Sequence, residues 1–177
     1  VQITSNQIYG GSIGGVVGYS WGTIENCSVS GSVSGTVYVG GVVGAQWGGT
    51  TTGCSSSATV KGMVDVGGVA GQTNGSATLT ACYATGNVTS TGSSTGKVHI
   101  GGFLGDNYTT VTACYWKNNH EQGFGYKKAG TGTEVTKVDG SVVTWQKAVD
   151  AMNNALQNAG SKWRYELNGT LPTLRKQ

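Results

Sequence analysis

The chain has 177 residues, of which 32 are glycine and one is proline, and its formal net charge is +3. So much glycine without a strict third-residue period or abundant proline excludes collagen. The few charges form no dense basic patch, which excludes an electrostatic nucleic-acid face, and no run approaches the roughly 20 apolar residues of a membrane span.

The charge is uneven. Residues 1–116 hold three acids (Glu25, Asp65, Asp106) and two bases (Lys61, Lys97), whereas residues 117–177 hold five acids and nine bases. The chain opens on neither methionine nor a leader but in a repeat-like segment, Ile8 to Ile13, so it reads as a mature or excised fragment of a longer surface chain.

From there a glycine pair, two small or apolar residues and a third glycine recur four times. The pairs are Gly14-Gly15, Gly40-Gly41, Gly67-Gly68 and Gly101-Gly102. Cys27, Cys54, Cys82 and Cys114 follow them at 13, 14, 15 and 13 residues, and the copies start 26, 27 and 34 residues apart. A period of that length marks a stacked-repeat architecture. Within each copy, β-branched stretches such as residues 32–39 and 59–66 run into the next glycine pair. Shorter ones, Thr23-Ile24, Thr78-Leu79 and Thr110-Val111, precede the cysteines. Punctuated by Gly, Ser, Thr and Asn, these predict short strands and tight turns.

About 27 residues per copy predicts one circuit of a parallel β-solenoid with three short faces, right-handed as β-crossover-β connections are. Like strands of successive coils then pair about 4.8 Å apart. The glycine pairs are expected to supply positive-φ corners. Val16, Val42, Val69 and Phe103 should share one column, as should the four cysteines. Ile24 and Cys27 both look inward although three apart, so a corner or bulge must fall near Asn26, Gly53, Ala81 and Ala113.

The pattern G-G-x-x-G, an apolar position, (N/A)-C-(S/Y), then Gly and Val resembles the GLUG repeat of bacterial surface and adhesin-associated proteins. Residues 14–33 carry it best, with Ile24-Glu25-Asn26-Cys27-Ser28 and Gly31-Ser32-Val33, and Ala81-Cys82-Tyr83-Ala84-Thr85-Gly86-Asn87-Val88 carries its second half. The second copy departs at Thr52-Gly53-Cys54-Ser55 and the fourth trails off after Trp116. The resemblance covers roughly residues 10–125 and implies the bacterial cell surface or extracellular space, with a host or bacterial protein or a surface glycan as partner.

Residues 1–125 therefore read as the solenoid and 126–177 as a linker and capping region. Trp145, Ala148, Val149, Met152, Leu156 and Ala159 share a helical face, Thr144 stands as N-cap and Gly160 as stop. This predicts a helix over 145–159 covering the open apolar end of the stack beside the fourth coil. Short strands follow around the Asn168-Gly169 turn. The resemblance adds that such repeats often end in a tryptophan-rich segment closing on L-P-x-L, as Leu171-Pro172-Thr173-Leu174 does.

Candidate sites are few. One cysteine per coil gives a line that cannot converge on tetrahedral zinc, and parallel Cβ vectors disfavour disulfides between adjacent rungs, so four structural unpaired thiols are expected. Trp21, Trp47, Asn74 and Tyr108 stand seven residues after each glycine pair, and the three aromatics form a candidate ligand-binding column. The competing reading is corner stacking that seals the solenoid. The three acids of residues 1–116 are isolated, none near another in repeat register, and the calcium repeat G-G-x-G-x-D is absent, so no catalytic residue, metal ligand or cofactor is assigned. Threonine ladders suitable for ice binding break at Thr23/Glu25.

The expected function is a non-enzymatic extracellular surface module, a structural stalk or adhesin. The first alternative is a dedicated carbohydrate-binding module. The second is a carbohydrate-active β-helix enzyme, for which Asp65, Asp106 and His99 would be the only acids or bases.

Overall fold

A computed structural model of the protein describes residues 2–4, 11–92, 97–128 and 135–177. The repeat-like stretch from Ile8 lies partly outside the described residues.

Among the described residues the first three coils each pass through five short β-segments and the fourth through four, and like segments of successive coils pair in parallel. The first face stacks Ile13–Gly14, Val37–Gly40, Val64–Gly67 and Ile100–Gly101. The second stacks Val17–Ser20, Val43–Gln46, Ala70–Thr73, Leu104–Asn107 and Phe124–Lys127. The third holds Ile24–Glu25, Thr50–Thr52, Thr78–Thr80 and Thr110–Thr112. The fourth holds Ser28–Val29, Ser55–Ser56, Tyr83–Ala84, Tyr115–Trp116 and Thr136–Lys137. Gln2–Thr4, Ser32–Ser34, Thr59–Gly62 and Val88–Ser90 form the fifth. This is the stacking of a parallel β-solenoid, with five faces where the period predicted three.

The extra corners have a local cause. Asn26, Gly53, Ala81 and Ala113 adopt φ of 56°, 62°, 53° and 48°, so the bend required between Ile24 and Cys27 is a left-handed residue at the same place in every coil. A second bend splits the first face, at Tyr38 and Asp65, both with φ of 50°. Left-handed φ costs an L-residue on the order of 1 kcal/mol, which the surrounding hydrogen bonds must outweigh. Here Asn26 N–H donates to Thr52 O at 3.0 Å, Gly53 N–H to Thr80 O at 3.0 Å and Ala81 N–H to Thr112 O at 3.0 Å.

The glycine pairs play another part than the one expected. None of their eight members has positive φ; they are glycine because the backbones come too close for a Cβ. A Cβ on Gly68 would overlap the Gly102 carbonyl oxygen and sit 2.6 Å from the Ala84 Cβ. On Gly105, the third glycine of its copy, a Cβ would lie 2.5 Å from backbone atoms of Asp65 and Val66. The triplet thus presses the first and second faces together.

Inside, side chains align by register: Val17, Val43, Ala70, Leu104 and Phe124 form one column, and Val33, Val60 and Val88 another. Val42, Val69 and Phe103 are fully buried and, with Val16, are linked from N–H to C=O along the stack, as expected. Val16, in the first coil, is 46% exposed. Burying each such side chain contributes about 1.5–3 kcal/mol.

The sheets run past residue 125, since Phe124–Lys127 pairs with Leu104–Asn107 and Thr136–Lys137 with Tyr115–Trp116. This partial fifth coil, with Trp116, Phe124 and Val135 in the core cluster, extends the stack beyond the fourth coil. The helix, Trp145–Asn158, has Thr144 accepting from Lys147 N–H and Gly160 at φ of 71°. It does not cover the end. Its Trp145, Ala148, Val149, Met152 and Leu156 pack with Ala81, Tyr83, Tyr115 and Tyr165 on the flank of the stack, at the left-handed corner. The terminal hairpin, Trp163–Leu167 against Pro172–Lys176, lies beside it, with Tyr165 Oη donating to Ala81 O at 3.0 Å. The reason is that outward Tyr83 and Tyr115, beside the small Gly53, Ala81 and Ala113, make the flank an apolar groove.

Candidate functional site

Three groups of side chains carry chemistry. The first joins residues that the sequence kept apart. Asp65 and His99 both stand two positions before a glycine pair, and Val66 pairs with Ile100, so they are neighbours across coils. Gln72 and Asp106 both stand five positions after the first glycine of their pairs and are paired directly. Because the backbone at Asp65 crosses over Gly105, all four side chains meet. The acids expected to be isolated therefore are not: Asp65 and Asp106 meet across two faces, although they share no register position.

His99 Nδ1 lies 2.8 Å from Asp65 Oδ1 and 3.8 Å from Asp106 Oδ2. Gln72 Nε2 donates to Asp106 Oδ2 at 3.2 Å. The ligating atoms of Asp65, His99 and Asp106 all fall within 4.8 Å of one another. Asp65 and Asp106 are only 6% and 4% exposed. Burial, and then the Asp106 charge, push the Asp65 carboxyl up to about 6 against the opposing pull of His99. Burial also raises Asp106, opposed by Gln72, His99, Tyr108 and Lys97. The His99 ring stacks on Tyr126 at 5.0 Å. Half of the signal for this cluster was in the sequence: equal offsets from the glycine triplet join Asp65 with His99 and Gln72 with Asp106, but nothing local joins the two pairs.

The aromatic column resolves into two clusters. Trp21 and Trp47 are 6.2 Å apart and tilted by 51°, and Tyr19 joins them, 6.0 Å from Trp47 and accepting from Trp21 Nε1 at 3.1 Å. Trp21 is 63% and Tyr19 49% exposed, with Trp47 half-buried. Tyr108 is separate. It lies beside Tyr126 at 5.8 Å, beyond the intervening Asn74 coil. Tyr19 and Tyr126 were missed because they occupy the offset of Ala45, Gln72 and Asp106, a column in which the two tyrosines stand only at the ends.

The cysteines form the expected unpaired column. All four are free, with Cys54, Cys82 and Cys114 buried and Cys27 half-buried. The GLUG motif family model matches the chain twice, at residues 9–34 and 35–61. Residues 9–61 carry two copies of the GLUG motif. No curated protein and no solved structure matches it. The two matched GLUG segments end at residue 61, within the second coil, yet the third coil keeps all five faces, the corner and the cysteine, and the fourth keeps four faces, the corner and the cysteine, so the register outlasts the recognisable motif. Among the described residues no helix is long and apolar enough to cross a membrane.

A last feature is a cavity of about 400 Å³ between the fourth face and the hairpin. Ser28, Ser55, Ser57 and Thr85 line it opposite Trp163 and Leu174.

Proposed function

We propose that this GLUG-repeat chain is a non-enzymatic extracellular module, a rigid spacer of a bacterial surface protein that makes adhesive contact through its first two coils. The observation that carries the reading is the exposed Tyr19–Trp21–Trp47 cluster. Large aromatic rings left in water on an otherwise weakly charged β-surface mark a contact site for sugar rings or a protein. The 51° tilt between Trp21 and Trp47 argues against one flat platform for an extended glycan. It suits a single ring wedged against Trp21, or a protein side chain.

The Asp65–His99–Asp106 cluster favours an enzyme less than its composition suggests. Paired carboxylates that hydrolyse glycosides stand about 5–9.5 Å apart with substrate between them, whereas here the oxygens lie within 4.8 Å and are buried. A glycan array and a surface-protein pull-down with wild type and the Trp21→Ala/Trp47→Ala double variant test the reading. Binding lost in the variant supports it, and turnover of any polysaccharide by the purified chain overturns it.

A further inference from the structure

The Asp65–His99–Asp106 cluster holds more acceptors than donors. Two carboxylates and an imidazole nitrogen converge, and the donors directed at them are Gln72 Nε2, the Tyr108 hydroxyl beside Asp106 and whichever His99 nitrogen carries a proton. Asp106 Oδ1 and Gln72 Oε1 are buried with no hydrogen-bond partner, and Gln72 is only 8% exposed. A buried acceptor left unpaired costs about 1–3 kcal/mol, more if charged. Lys97 acts on Asp106 only through its charge, and the two orphaned oxygens, buried beside a pair of carboxyl groups, call for a positive centre within the cluster.

We infer that Asp65, His99 and Asp106 form a binding site for a divalent transition-metal cation of the Zn²⁺ or Mn²⁺ kind. The geometry fits. A metal with ligands at about 2.0–2.1 Å holds neighbouring donor atoms about 2.9–3.4 Å apart, from octahedral to tetrahedral; the two His99 pairs, at 2.8 and 3.8 Å, bracket that, and the two carboxylates, within 4.8 Å of each other, would draw in on binding. An imidazole with two carboxylates matches Zn²⁺ or Mn²⁺; Ca²⁺ takes six to eight oxygens, which this cluster does not assemble.

The surroundings resemble an outer shell. Gln72 holds Asp106, and Tyr126 fixes the His99 ring plane, the type of support that orients ligands. His99 is the more open ligand, its side chain 17% exposed, and gives the ion its way in. The left-handed φ at Asp65 is not itself a sign of the site, because Tyr38 shares it one coil earlier. The stack sets that backbone, and Asp65 uses it to aim at Asp106. Such a site would pin the third coil to the fourth.

The test uses the full chain, stripped with chelator at pH 7.5, in a Cys27→Ser background that removes the most accessible thiol. Calorimetry with ZnCl₂ and MnCl₂ should show one site. Asp106→Asn and His99→Gln should weaken it at least tenfold, whereas Glu25→Gln, a change at an exposed acid far from the cluster, should not. In parallel, NMR of the histidine rings should show Zn²⁺ shifting His99 and leaving His120 unmoved. This readout needs only the Cys27→Ser protein, so it decides the matter if a cluster variant fails to fold. No one-site binding, binding undiminished in a folded Asp65→Asn/Asp106→Asn variant, or shifts confined to His120 would each overturn the proposal.

Discussion

Cys54, Cys82 and Cys114 repeat one set of contacts. Each thiol points to the carbonyl two residues upstream, on Thr52, Thr80 and Thr112, at 3.3–3.4 Å. The sulfurs of Cys82 and Cys114 also accept the N–H of the cysteine one coil below. A thiolate there would face carbonyl oxygens in a water-free core. For Cys54, its hydrogen bond with Cys82 and then burial raise the pKa far above the ordinary thiol value, and burial does the same for Cys82. The thiolate is the reactive form, so mild alkali does not activate Cys54 or Cys82, and Cys114 is shielded by burial. We therefore expect a thiol reagent at pH 8 to modify no more than Cys27 in the native protein, and four groups once it is denatured without reductant. A count of two or zero after denaturation would mean disulfides and would contradict the column.

At the scale of elements, the tail is the informative case. Leu156 and Met152 are fully buried against the flank, so Leu156→Asp places an unpaired charge beside Gly53 and Ala81 and should cost about 3–5 kcal/mol. Urea unfolding followed by tryptophan fluorescence measures it, and an unchanged midpoint would make the tail a passenger. The helix itself was legible, because period, N-cap and stop glycine are local properties of residues 144–160. Its resting place was not. That depends on Tyr83 and Tyr115 facing outward, which is known only once the bend at Ala81 and Ala113 is fixed in three dimensions. The bend position was readable from the spacing of Ile24 and Cys27, but its partition of the coil into five faces was not. The second bend, at Tyr38 and Asp65, leaves no glycine behind to announce it. The same blindness hid the Asp65–Asp106 meeting, whose residues are 41 apart in the chain and touch only because Gly105 lets two faces close up.

Taken as a whole, the molecule is a stack in which each coil is held by its neighbours, so a defect in one rung loosens those beside it. Gly68 and Gly22 separate this effect from ordinary glycine chemistry. A methyl on Gly68 collides with the Gly102 carbonyl and Ala84, whereas one on Gly22 meets nothing within 4 Å. Gly68→Ala should lower stability by about 1–3 kcal/mol as overpacking does, and Gly22→Ala should be neutral or slightly favourable; thermal unfolding monitored by circular dichroism distinguishes them. The tail's position has a further result, for mechanics. The bonds joining coils run along the stack, so an axial pull loads them one layer after another. A detached coil of about 27 residues lengthens the chain by roughly 90 Å where it had occupied about 4.8 Å. The doubled-back tail touches Gly53, Ala81, Tyr83, Ala113 and Tyr115, residues of three successive layers. Tension must shear this strap off the flank before those layers can peel, which makes the C-terminal segment a latch that sets the force at which the stack begins to yield.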